Sequence, residues 1–232
     1  MNKLDTREFA SRQLLDEALA NSVAERLRDA VAQNGHAVLV VSGGSTPLNF
    51  FKLLSAIPLA WRKVTVLLAD ERWVPPEHSD SNEKRVRENL LVGPAAAASF
   101  QSLKTDHANA SEAANSVDLV LAALGRFDLV ILGMGNDGHT ASLFPGATAL
   151  PEGLDMASGR HCVAVDPPAA PHQRLSMTLP RLLDSERIFI HITGADKKRT
   201  LDVAREQNDP LQLPIAAVLH QQRTPVTLYY AR

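Results

Sequence analysis

Residues 37–47 read Ala-Val-Leu-Val-Val-Ser-Gly-Gly-Ser-Thr-Pro. The first five form a continuous apolar run with three β-branched residues, the pattern of a strand buried on both faces. The next six form a glycine loop feeding a proline-initiated helix. A buried strand that ends in such a loop is the opening unit of an α/β sheet, and the rest of the chain repeats its grammar. Apolar runs recur at 64–69, 127–133, 161–165, 187–193 and 226–231. Between them the spacing predicts helices over 47–57, 82–91, 111–124 and 195–207, the last followed by Pro210. Upstream, Leu15, Leu19, Val23, Leu27 and Val31 recur every fourth residue, so 5–33 reads as one amphipathic helix closed by Asn34-Gly35. The stretches 94–99 and 146–160 read as surface loops. Alternating strands and helices predict an α/β fold, a modified doubly wound and mostly parallel sheet with helices on both faces. The chain reads as a single α/β domain over 1–232, with room for a small subdomain.

Composition narrows the function. The 232 residues are 45% hydrophobic and 22% charged, close to the globular average. A net charge of −2 argues against non-specific nucleic-acid binding. Cys162 is the single cysteine, so no intrachain disulfide forms, as suits a reducing compartment. The polar start MNKLDTREFA shows no secretory signal, and no stretch approaches the roughly 20 apolar residues of a membrane span. A cytoplasmic location is expected. Eight histidines include no HxH or HxxxH pair, so the spacing shows no metal set.

In open α/β sheets ligands bind beyond the carboxyl ends of the strands, and three motifs stand there. In Ser42-Gly43-Gly44-Ser45-Thr46-Pro47, Thr46 is the expected N-cap and Pro47 the first helical residue, giving an anion site. The same residues suit a plain turn with a helix cap. Asp70-Glu71-Arg72-Trp73-Val74-Pro75 puts three charges at a strand end, where they either face a cleft or pair with one another. Asn82 reads as the cap of the next helix. The third motif, Gly133 to Gly146, contains a literal GxGxxG. It is not a dinucleotide fingerprint, because Pro145-Gly146 stops the segment before a full helix forms. It leaves Asp137 and His139 two residues apart in a glycine loop, and histidine is suited to proton transfer at neutral pH. Arg174 and Lys197 are later cations that suit either a phosphate or a solvated surface.

SGGSTP (42–47), DERWVP (70–75) with Ser81-Asn82, GMGNDGHTASLFPG (133–146), RLSMTLP (174–180) and TGADK (193–197) together resemble the 6-phosphogluconolactonase family, in that family's order. The resemblance spans about residues 5–232, and 137–146 is its most specific part. Asn136 departs from it, since Pro or Glu often stands there. The family shares its fold with the glucosamine-6-phosphate deaminases. The resemblance implies hydrolysis of 6-phospho-D-glucono-1,5-lactone to 6-phosphogluconate in the pentose phosphate pathway, with no metal and no organic cofactor. It implies a small sugar-phosphate lactone as partner; from charge and hydropathy no nucleic acid or membrane is expected, and the chain is expected to be a monomer or weak homodimer. It places His139 as general base, Asp137 as its orienting carboxylate, Arg72 or nearby backbone N–H groups at the oxyanion and Asp70 at the sugar hydroxyls. Gly43, Gly44, Ser45, Thr46, Arg174 and Lys197 fall to the phosphate, the last two by analogy with the deaminases. Those enzymes carry a glutamate before the proline of DGHxxxxEP; here that position is Phe144, which speaks against deamination. A sugar-phosphate sensor is the other alternative, but the chain leaves no room for a DNA-binding module.

Overall fold

The structure is a computed structural model describing residues 4–232. Strand β1 (Asp5–Phe9) leads into helix α1 (Arg12–Asn34), then β2 (Ala37–Val41) and α2 (Leu48–Ala56). Next come β3 (Val64–Leu68), β4 (Asp70–Arg72), α3 (Asn82–Asn89), β5 (Ser99–Gln101) and α4 (Ala110–Ala123). The second half runs β6 (Leu129–Leu132), α5 (Leu150–Leu154), β7 (Cys162–Val165), β8 (Arg174–Met177) and α6 (Leu179–Leu183). It ends with β9 (Ile188–Thr193), α7 (Ala195–Gln207), α8 (Ile215–His220) and β10 (Val226–Ala231).

Seven strands form one sheet in the order β1-β10-β9-β6-β2-β3-β5, and every neighbouring pair is parallel. All five residues of β2 are buried, so both sheet faces are covered there. From β2 the chain steps outward through β3 to β5, then returns to place β6 on the other side of β2. The sheet order therefore reverses between β2 and β6, and the crevice at such a switch point is where these folds bind ligands. The loops leaving the two strands are tied together: Ser42 N–H donates to the Ile131 carbonyl at 3.0 Å, and Gly133 N–H to Ser42 Oγ at 3.3 Å.

Strands β4, β8 and β7 make a separate antiparallel sheet. Beside it a satellite apolar cluster of Leu143, Phe144, Ala147, Leu150, Val163 and Val165 anchors the segment that follows His139.

Several local expectations change. Residues 5–9 are not helical but form an edge strand paired with β10. Its sequence Asp-Thr-Arg-Glu-Phe is almost wholly exposed and carries no strand alternation; the backbone ladder to β10 specifies it, with Arg7 donating to the Tyr229 hydroxyl at 2.9 Å and Thr227 Oγ1 to Asp5 Oδ2 at 3.0 Å. Helix α1 begins after Ser11, whose hydroxyl accepts from Leu14 N–H at 3.3 Å, a cap worth about 1 kcal/mol. It ends as expected at Gly35, with φ of 78°. Thr46 does not cap α2, which starts one residue after Pro47 and has no side-chain cap. Asn82 is likewise not a cap: Ser81 is, accepting from Lys84 N–H at 3.1 Å. The stretch 94–99 runs from a 3-10 turn into β5, and 146–160 contains α5.

Candidate active site

The carboxyl ends of β2, β3, β6 and β9 open onto one cavity of about 360 Å3, the size of a small-ligand site. Of the ten residues singled out by the motifs, nine line it: Gly43, Gly44, Ser45, Thr46, Asp70, Arg72, His139, Arg174 and Lys197. The tenth, Asp137, stands behind His139. One Asp137 carboxylate oxygen, Oδ1, lies 2.6 Å from His139 Nδ1 and accepts from the His139 backbone N–H at 3.2 Å. Burial works to raise the Asp137 carboxyl, but the hydrogen bond and charge of His139 outweigh it, and the net value is lowered. An ionised carboxylate at Nδ1 requires a hydrogen on that nitrogen, which leaves Nε2 as the ring's proton acceptor. Phe144 covers one side of the imidazole, ring centroids 4.2 Å apart.

This close pairing depends on Gly135. A Cβ there would lie 2.2 Å from His139 Nδ1 and 2.4 Å from Asp137 Oδ1. Gly43 serves the same purpose across the cavity, where a Cβ would meet Asn82 Oδ1 at 2.0 Å. Asn82 is buried beside it, and its Nδ2 donates to the Asp70 carbonyl at 3.0 Å. Ala141, which also lines the cavity, holds φ of 48°, an unusual setting for a non-glycine residue.

The three charges of 70–72 have three separate fates. Asp70 is buried and faces the cavity, one oxygen accepting from Ser142 Oγ at 2.6 Å. Glu71 turns away to serve the start of α3. Its carboxylate accepts from the N–H groups of Arg72, Asn82 and Glu83 at 2.6–2.7 Å and from Ser81 Oγ at 3.1 Å. Burial pushes its carboxyl up while those backbone donors pull it back, and burial prevails. Glu71→Ala would orphan helix N-terminal donors. It is expected to lower the unfolding free energy by about 2–4 kcal/mol in urea melts; a loss under about 1 kcal/mol would mean that water replaces the carboxylate. Arg72 returns to the cavity, its Nη1 donating to the Asp80 carbonyl at 2.5 Å and its Nε buried without a partner among the described residues.

Pairing of β4 with β8 sets Arg72 directly opposite Arg174. Arg174 is only 5% exposed, which removes the surface-cation reading. Its Nε and Nη2 donate to the carbonyls of His172 and Pro171 at 3.3 and 3.0 Å. Burial, then the neighbouring Arg72 charge, lowers its ordinary value. Lys197 sits in the first turn of α7; burial lowers its ordinary value, as does Arg12, with Asp137 opposing. Arg12 also braces the glycine loop by donating to the Ser45 and Thr46 carbonyls at 3.2 and 2.7 Å.

Some lining residues escaped the sequence reading. Ser142 and Phe144 lay inside a quoted motif but carried no assigned contact. His191 also lines the cavity, with Nε2 3.3 Å from Oδ1 of the fully buried Asp16. Asn49 Nδ2 donates to the other Asp16 oxygen at 2.8 Å. A histidine within the apolar run Arg-Ile-Phe-Ile-His-Ile-Thr was the available signal.

A family model described as glucosamine-6-phosphate isomerases/6-phosphogluconolactonase matches residues 10–228. The chain belongs to this family. Within it, a Pseudomonas putida protein named 6-phosphogluconolactonase, a hydrolase, is 46% identical over 96% of this chain and 91% of its own length. The crystal structure of a 6-phosphogluconolactonase from Shewanella baltica superposes with a TM-score of 0.96 at 40% identity, covering 100% of this chain and 99% of that one. A monomeric glucosamine-6-phosphate deaminase superposes with a TM-score of 0.82 at 18% identity, covering 99% and 98%. That last likeness concerns the fold alone, and the modified doubly wound α/β architecture is common to both branches. Among the described residues no helix is long and apolar enough to cross a membrane.

Proposed function

We propose that the chain hydrolyses 6-phospho-D-glucono-1,5-lactone to 6-phosphogluconate, with His139 as general base. The observation that carries this reading is the Asp137–His139 pair on a cavity edged by Arg72, Arg174 and Lys197. A lactone carbonyl is already electrophilic, so a positioned water, a base and charge stabilisation suffice. His139 Nε2 takes a proton as the water oxygen bonds to C1. Arg72, or the backbone N–H groups of the cavity loops, stabilise the tetrahedral oxyanion. Collapse of that intermediate breaks the bond from C1 to the ring oxygen, and the imidazolium returns its proton to that oxygen. Asp70 positions sugar hydroxyls. Ser45, Thr46 and the glycine loop bind the phosphate with Arg174 and Lys197.

Phe144 supports hydrolysis over isomerisation. Where the deaminase pattern carries a glutamate for ring opening, an aromatic ring packs on the imidazole. The test is a coupled assay on freshly generated lactone, read against its spontaneous hydrolysis; a rate no faster than the uncatalysed one overturns the reading.

Lys197→Ala and Arg174→Ala are each expected to raise KM about tenfold or more with kcat nearly unchanged, because each removes a charge-assisted hydrogen bond to bound phosphate. Calorimetry with 6-phosphogluconate checks this on variants with wild-type unfolding transitions. Wild-type affinity in either would remove that residue from the phosphate site.

A further inference from the structure

We propose that His78, Asp80 and His172 form a binding site for one divalent transition-metal ion of the zinc class, set outside the reaction cavity. The three residues each bring a ligand atom within 4.8 Å of the others. His172 Nε2 lies 3.0 Å from Asp80 Oδ2, and His78 Nδ1 lies 4.0 Å from the same oxygen. The imidazoles meet edge to face, centroids 5.4 Å apart. Ligand atoms around tetrahedral zinc stand roughly 3.3 Å apart, so the 4.0 Å separation of His78 Nδ1 from Asp80 must shorten for the set to close. Two imidazoles and one carboxylate leave a fourth position for water, and nitrogen donors select zinc, cobalt or nickel over magnesium and calcium.

None of the three lines the cavity, and the reaction proposed above does not use them. His172 also holds a left-handed backbone, φ of 67°, a conformation that a non-glycine residue keeps only where surrounding structure enforces it. Several features oppose a cation, the nearby Arg72 and the hydrogen bond between His172 Nε2 and Asp80 Oδ2 among them. Arg85 Nη2 lies 3.9 Å from Asp80 Oδ1, and the Asp80 N–H that now donates to His78 Nδ1 at 3.1 Å must yield that nitrogen.

The ligands come from two loops 92 residues apart in sequence at Asp80 and His172, which is why their spacing shows no metal motif. Each loop holds a cavity arginine: the Asp80 carbonyl receives Arg72, and the Pro171 and His172 carbonyls receive Arg174. A bound ion would staple the two loops together and steady both guanidinium groups.

The experiment is calorimetric titration of zinc chloride, and separately magnesium chloride, into the full chain after chelator treatment, with thermal unfolding in parallel. One zinc per chain and a zinc-dependent rise in Tm are expected, with no response to magnesium. His78→Ala and His172→Ala are each expected to weaken zinc at least about tenfold. Asp80→Asn, which keeps the side-chain shape, should do likewise. His36→Ala, at an exposed histidine elsewhere, should leave zinc affinity unchanged. Absence of stoichiometric zinc binding overturns the proposal, as does unchanged affinity in folded His172→Ala or Asp80→Asn.

Discussion

His139→Gln is expected to lower kcat by about two to four orders of magnitude while 6-phosphogluconate still binds. Glutamine keeps a polar side chain of similar reach, so the glycine loop persists, but it cannot accept the proton of the attacking water. Phosphate affinity should hold because Lys197, Arg174 and the 43–46 loop bind it. If His139 instead only braces the loop, His139→Gln retains activity and His139→Ala loses thermal stability. A folded His139→Gln variant that hydrolyses lactone near the wild-type rate would therefore shift the base to Asp70 or Asp137. The hydrogen bond and charge of His139 hold the Asp137 carboxyl below its ordinary value. A carboxyl with a depressed folded value stays ionised above it. The stability that its pairing with His139 brings is fully present above the ordinary carboxyl value and is lost as pH falls from there through the lowered folded value.

Gly135→Ala should cost nearly as much without replacing a reacting group. The new Cβ would fall within 2.4 Å of both the imidazole and the Asp137 carboxylate, so the ring must move off its partner. Misplacing a catalytic group by about 1 Å costs on the order of 10²-fold in rate. The variant should unfold near the wild-type temperature, since both displaced side chains are partly exposed. Steady-state kinetics on the coupled assay check it; a kcat within about twofold of wild type would show that the pairing is dispensable.

The sheet was legible wherever a strand is buried on both faces. Residues 37–41, 64–69 and 226–231 match β2, β3 and β10 within one residue, because burying both faces demands unbroken β-branched and apolar runs. The illegible strands carry their information elsewhere. β1 is exposed and polar, β4 is three charged residues, and β8 opens on an arginine; partners distant in sequence supply their ladders. The parallel order and its reversal between β2 and β6 likewise depend on which strands meet.

For the site, sequence alone determined the residue types and their place at strand ends. Glycine, histidine and aspartate in loops beyond buried strands carry chemistry that no core requires. What each charge does was decided by tertiary structure. Asp70 and Glu71 are adjacent carboxylates, yet one faces the cavity and the other caps a helix, because successive residues of β4 point to opposite faces and α3 lies on only one of them. Arg72 and Arg174 become neighbours through an antiparallel pairing across about a hundred residues. His191, a polar residue in the middle of an apolar strand, acquires Asp16 only when α1 packs on the sheet. Sequence separation hides such encounters, since the free energy of a contact depends on distance in space and not along the chain.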